Sequence, residues 1–195
     1  NKDVDYFSKF ELDEYVFPVN RNEFHLQKCI GHLKTSYLST GKKGFASKFD
    51  YKKNTFGPLY PEVTGYIINT LYEIRGNFNS AKDISWIDNA IENSVKSLMA
   101  VQLKNGSFTA GHKDMSSYGT PSIFNTGQIL LGLSQYLSIT GDKFVEESIS
   151  RAVNFMNLNS GLDGYNPEYC YNKRFSSYYA RSAYGHIKAG KLIGD

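Results

Sequence analysis

The sequence predicts an all-α fold in which inner helices alternate with outer helices. Apolar residues recur at three- and four-residue steps, which is typical of helices with a buried face. One helical segment also repeats: Thr64-Gly65-Tyr66-Ile67-Ile68 aligns with Thr126-Gly127-Gln128-Ile129-Leu130, 62 residues later. A weaker third copy places Tyr179-Ala180-Arg181 in the same slot, with Gly185 at the position of Gly132. Repetition at such a period indicates stacked helical hairpins.

The inner helices are predicted near residues 61–75, 121–138 and 176–191. The first two are led by Pro61 and Pro121, and proline suits the first helical position because its missing N–H would be unpaired there. Their apolar residues occur almost all round the helix, which predicts burial on most sides.

The outer helices are predicted near residues 23–38, 83–103 and 143–158. Each is amphipathic and is followed by a glycine and then an aromatic residue: Gly44-Phe45, Gly106-Ser107-Phe108 and Gly164-Tyr165. Glycine can end a helix in the left-handed conformation, so the aromatic residue can fold back onto the inner layer. The alternation, at 53 to 63 residues per pair, predicts an α/α barrel or an open α-solenoid. An ordinary helical bundle is the alternative.

Composition excludes several classes of function. The net charge of +3 is spread along the chain, with one local cluster at Lys42, Lys43, Lys52 and Lys53, so no nucleic-acid partner is predicted. No apolar stretch is long enough to span a membrane and none resembles a signal peptide, so a cytoplasmic location is expected. An N-terminal extension, residues 1–22, is expected to precede one repeat domain, residues 23–195. The 15 tyrosines and 13 phenylalanines favour an aromatic-lined pocket.

Three segments resemble a known superfamily. Gln102-Leu103-Lys104-Asn105-Gly106-Ser107-Phe108 is similar to the glutamine, glycine and aromatic repeat motif of squalene-hopene cyclases and protein prenyltransferases. The segments 60–66 and 121–128 resemble bacterial repeat proteins described as prenyltransferase or squalene oxidase repeat proteins, which are associated with surface-polysaccharide gene clusters. The resemblance covers residues 25–195. It implies part of an α/α toroid of the terpenoid-cyclase type, completed by further repeats or by a partner chain.

Two chemistries of that superfamily are not expected here. Its terpene cyclases use an Asp-x-Asp-Asp acid motif, which this sequence lacks. Its prenyltransferases use zinc held by Asp, Cys and His, whereas Cys29 and Cys170 are the only cysteines of this chain. Cys29 and His32 share a helix face but form too small a set for zinc. No metal and no cofactor are therefore predicted.

The remaining toroid chemistries act on sugars. Lyases and epimerases remove a proton next to a carboxylate with an acid–base pair, while amide or guanidinium groups stabilise the enolate. Residues of these types occur at the starts of the inner helices and in the loop before the second. The candidate catalytic residues are Glu62, Tyr66, His112 and Asp114. The candidate substrate-binding residues are Tyr118, Asn125, Gln128, Tyr179 and Arg181.

Each group of candidates also has a structural interpretation. Tyr66, Gln128 and Arg181 occupy one slot in three copies, so they are expected to face one cavity, or else to form a hydrogen-bond network between hairpins. Glu62 is also a favourable first-turn acid, and the His112 and Asp114 pair is often incidental on a loop. We expect a saccharide ligand, bound by a lyase, epimerase or hydrolase of surface-polysaccharide biosynthesis. A non-catalytic binding module and an isoprenoid-binding protein are the alternatives.

Overall fold

The structure, a computed structural model, describes residues 22–76 and 81–194. The chain forms two compact units, Asn1–Lys34 and Thr35–Asp195. The described part of the first unit is helical. The expected N-terminal extension, residues 1–22, lies outside the described residues apart from Asn22. The site and the repeats lie in the second unit.

Helices dominate the described residues, as the sequence predicts. The helices are α1 (Asn22–Ser39), α2 (Pro61–Arg75), α3 (Ala81–Ala100), α4 (Ile123–Thr140), α5 (Lys143–Leu158) and α6 (Ala180–Ile193). Two short antiparallel hairpins follow the outer helices α1 and α5. They pair β1 (Phe49–Asp50) with β2 (Thr55–Phe56), and β3 (Ser160–Gly161) with β4 (Gly164–Tyr165).

The inner helices α2, α4 and α6 pack side by side, with α4 in the middle. Helix α3 packs against α2, and α5 packs against both α4 and α6. The predicted burial on most sides holds for α4, whose sequence from Ile123 to Leu130 is buried throughout. Helices α2 and α6 bury one side only, because within the described residues each has a single inner helix as a neighbour. The described residues show a row of three inner helices and do not show that this row closes into a toroid.

Glycine allows the inner helices to approach closely. A Cβ atom added to Gly132 would lie 2.0 Å from the carbonyl oxygen of Gly65, and one added to Gly185 would lie 2.0 Å from that of Gly127. The same backbone contact therefore recurs at the α2–α4 and α4–α6 interfaces. It joins the positions that the sequence repeat aligns, Gly65 with Gly127 and Gly132 with Gly185.

The repeated threonine attaches each aromatic turn to the next inner helix. Thr64 Oγ1 accepts a hydrogen bond from the Phe45 N–H (3.0 Å), and Thr126 Oγ1 accepts one from the Phe108 N–H (2.9 Å). Each hydroxyl also donates to the carbonyl four residues earlier. Phe45 and Phe108 are fully buried. Each turn thus satisfies a buried N–H and contributes a core side chain.

The two inner helices led by proline begin differently. Pro61 is the first residue of α2, as predicted. Pro121 precedes Ser122, whose Oγ accepts a hydrogen bond from the Asn125 N–H (3.2 Å) and caps α4. The predicted start of this helix at residue 121 is therefore wrong by two residues. Ser122 caps the helix because its hydroxyl accepts a hydrogen bond from an otherwise unpaired N–H, and a proline side chain has no group that could do this.

We expect Gly132→Ala to lower the free energy of unfolding by about 1–3 kcal/mol, because the new methyl group would force α2 and α4 apart. Gly76→Ala is the matched control: Gly76 has helical backbone angles, and a Cβ there meets nothing within 4 Å. That change should stabilise the protein by about 0.4–1 kcal/mol through the unfolded chain. Urea denaturation measures both values. Equal effects of the two substitutions would contradict the role of the glycine contact.

Candidate functional site

A cleft of about 760 Å³ lies where the inner helices begin. The inner helices are parallel, because Gly65 lies beside Ile129 and Gly127 lies beside Ser182, while residues near their ends share a second groove. Their N-terminal ends therefore meet at one edge. The side chains from this edge that line the cleft are Tyr60, Glu62, Phe124, Asn125, Tyr178 and Tyr179, and the loop 168–173 supplies much of the remaining wall.

Tyr60, Glu62 and Asn125 are polar side chains that line the cleft together. Glu62 and Asn125 are near enough to Tyr60 to affect the pKa of its phenol. Asn125 is held in turn: its Nδ2 donates to the Thr109 carbonyl (3.1 Å), and its Oδ1 accepts from the Ser122 hydroxyl (3.0 Å). The α4 cap therefore also orients a polar side chain of the cleft.

Burial sets the protonation states of this group. Desolvation, together with the charge of Glu62, raises the pKa of Tyr60 to about 12. Desolvation also raises the pKa of Glu62, although the Tyr60 hydrogen bond and the charge of Arg181 oppose this shift. Burial and Glu62 likewise raise the pKa of Tyr66. At neutral pH the Tyr60 and Tyr66 phenols are therefore protonated and can donate hydrogen bonds.

Aromatic rings form one wall of the cleft. The Phe124 and Tyr178 rings stack with centroids 4.4 Å apart and planes 14° apart. The Tyr179 ring stands edge-on to Phe124 at 6.1 Å. Tyr178 is 58% exposed, so one ring of this stack is open to a ligand.

The Tyr179 hydroxyl serves the loop beside the cleft. It accepts a hydrogen bond from the Tyr171 N–H. Tyr179 is 2% exposed. Its ring lines the cleft, but its hydroxyl bonds to the loop and not to the cleft. We infer that this candidate binding residue positions the loop.

Gln128 is placed one turn further along α4 than the lining residue Phe124. Its side chain is 1% exposed, and neither amide atom has a hydrogen-bond partner among the described residues. Arg181 occupies the equivalent slot of α6 and is exposed, and its charge acts on both Glu62 and Tyr66. None of Tyr66, Gln128 and Arg181 is among the residues that line the cleft.

The loop before α4 contributes fewer of the predicted groups. The His112 ring lies 6.2 Å from the Tyr60 ring, edge-on, and its buried Nδ1 has no hydrogen-bond partner in the described part of the chain. Asp114 is exposed, and the structure shows no hydrogen bond between it and His112. Tyr118 is half-buried. Loop residues that do line the cleft are Gly111, Met115 and Ser117.

Sequence reasoning missed Tyr60, Phe124 and Tyr178 as site residues. The repeat contained a signal for two of them. Tyr178 occupies the slot of Asn125 when Gly185 is aligned with Gly132, and Phe124 occupies the slot of Glu62 in the copy before it. Tyr60 precedes the repeat segment and had no such signal.

Comparisons with known proteins give no match. No family model, curated protein or solved structure matches the chain. Within residues 22–76 and 81–194, no group of three His, Cys, Asp or Glu side chains could hold a metal ion. None of the helices described is both long and apolar enough to cross a membrane.

We expect Glu62→Gln to raise the melting temperature at pH 7. A carboxyl group whose pKa is higher in the folded chain than in the unfolded chain stabilises the fold when protonated, and this contribution is lost as pH rises through the raised pKa. The ionised group thus disfavours folding at neutral pH, and glutamine removes that cost. The gain should disappear as pH falls to the ordinary carboxyl value of about 4.3.

Thermal unfolding across this pH range checks the prediction. Glu92→Gln is the control, since it removes the same charge from the exposed face of α3, where Glu92 pairs with Lys96 at 3.7 Å. The stability difference between Glu62→Gln and the parent protein is compared at the two pH values. A difference that favours the variant less at pH 7 than at acidic pH would contradict the burial of this carboxylate.

Proposed function

We propose that the cleft binds a uronate-containing saccharide and that the protein acts in carbohydrate processing. The observation that supports this most is the combination of an aromatic stack, Phe124 on Tyr178, with the polar group of Tyr60, Glu62 and Asn125 in one cleft. A sugar ring has apolar C–H faces and hydroxyl edges. The aromatic wall suits the faces, and fixed polar groups suit the edges.

The charge near the cleft favours an acidic sugar. Arg181 is exposed and needs no rearrangement of the core to meet a ligand. A guanidinium group can bind a carboxylate through two parallel hydrogen bonds.

The protonation states support lyase or epimerase chemistry as the reaction class. Glu62 is a half-buried carboxylate with a raised pKa, which suits a base that accepts the proton next to the sugar carboxylate. Tyr60 and Tyr66 remain neutral and can return a proton. Glycoside hydrolysis needs a second carboxyl group, and the other one in this cleft, Glu168, is paired with Lys173 at 3.0 Å.

The wider setting follows the resemblance to bacterial repeat proteins of surface-polysaccharide loci, which supports a polysaccharide as the substrate. In this proposal, the row of α2, α4 and α6 is part of an α/α toroid that further repeats or a partner chain completes. The shared parallel packing of the three inner helices is consistent with that architecture.

We expect Arg181→Lys to weaken binding of trigalacturonate about tenfold, because lysine cannot reproduce the paired hydrogen bonds of the guanidinium group. The melting temperature should change little, since Arg181 is exposed. Isothermal titration calorimetry of both proteins measures the affinities. Arg174→Lys is the matched control: Arg174 is exposed too, but only the Arg181 charge affects the pKa values of Glu62 and Tyr66, so this change should leave binding intact. Unaltered affinity in Arg181→Lys would refute the assigned role.

A further inference from the structure

A second groove lies on the same three inner helices, nearer their C-terminal ends. Its volume is about 450 Å³. It is lined by Asn69, Tyr72, Glu73, Leu131, Gln135, Ile139, Tyr184 and Lys188. Nothing in the proposed chemistry of the first cleft uses these residues.

The groove continues the side of the helices that carries the first site. On α2, Glu62, Tyr66, Asn69 and Glu73 follow one another at three- and four-residue steps, which places them on one face of the helix. Arg181, Tyr184 and Lys188 do the same on α6. On α4 the series is Phe124, Gln128, Leu131 and Gln135. From Glu62 to Glu73 the face extends about 16 Å along the helix axis.

The second groove repeats the chemical pattern of the first site. In both, α2 supplies a carboxylate, Glu62 or Glu73, and the α6 side supplies a cation, Arg181 or Lys188. Helix α4 lies between them and supplies an amide, Asn125 or Gln135.

Tyrosines also recur, with Tyr60 and Tyr178 at the first site and Tyr72 and Tyr184 at the second. Two similar sets of groups on one face suit a ligand made of repeating units.

Two side chains of the second groove are open to a ligand. Lys188 Nζ makes a long hydrogen bond to Gln135 Oε1, at 3.4 Å, which a ligand oxygen can replace. Tyr184 is 63% exposed, so its ring presents a large surface to anything that lies in the groove.

We propose that this groove is a second subsite for the same saccharide chain, with Lys188 pairing with a uronate carboxylate and Tyr184 contacting a sugar face. The inference rests on the proposed function of the first cleft. A single chain would then lie along the inner helices, with one unit at the cleft and a later unit at the groove. Gln128, between the two, lies beneath the path of that chain.

Calorimetry with digalacturonate and hexagalacturonate tests the proposal. The hexamer is long enough to reach both sites, whereas the dimer fills the cleft alone. We expect the parent protein to bind the hexamer at least tenfold more tightly than the dimer. Lys188→Ala should weaken hexamer binding about tenfold, the effect of one hydrogen bond to a charged group, and leave dimer binding unchanged.

Lys191→Ala is the matched control, because it removes the same charge from an exposed position of α6 that does not line the groove. Tyr184→Ala serves as a second variant and should also affect the hexamer alone. If dimer and hexamer bind equally, or if Lys188→Ala and Lys191→Ala weaken the hexamer to the same extent, the second subsite is refuted while the first stands. If neither oligomer binds, the proposed function fails as well.

Discussion

The backbone contact between paired glycines sets the spacing of the inner helices. Gly132 and Gly185 leave room for the carbonyl groups of Gly65 and Gly127, so neighbouring helices approach to a distance that any side chain would prevent. The three helices are consequently parallel and in register. Their N-terminal ends meet at one edge, where first-turn side chains from separate repeats converge on one cleft. The packing of the inner helices and the arrangement of the site residues thus depend on the same glycine contact.

Among the described residues, buried polar atoms without a hydrogen-bond partner occur in the core, at Ser134 and Ser182, and along the face that carries the site, at Gln128 and Asn69. The half-buried Glu62 carboxylate also has a raised pKa. A buried polar atom without a partner costs about 1–3 kcal/mol. Such costs are typical of binding sites, where a ligand supplies the missing interactions. The fully satisfied Thr64 and Thr126 links, by contrast, hold the frame in which these groups sit.

The sequence predicted the helices well because periodicity is a local property. The segment 143–158 coincides with α5, and the repeat found the glycines that pair in the structure. It also identified Glu62 and Asn125 as polar groups of one edge. The partners of these groups were not predictable, because which side chains meet depends on how helices far apart in sequence pack. Two such contacts are the one between Tyr60 and Glu62 and the one between the Tyr179 hydroxyl and the Tyr171 N–H.

Amide chemical-shift mapping with hexagalacturonate tests whether the row of inner helices presents one saccharide-binding face. Shift changes should begin at the first turns of α2, α4 and α6, include the Arg181 amide and continue to the Lys188 turn, with little change on the outer faces of α3 and α5. Shift changes confined to the outer helices would contradict it, as would the absence of any change at saturating ligand.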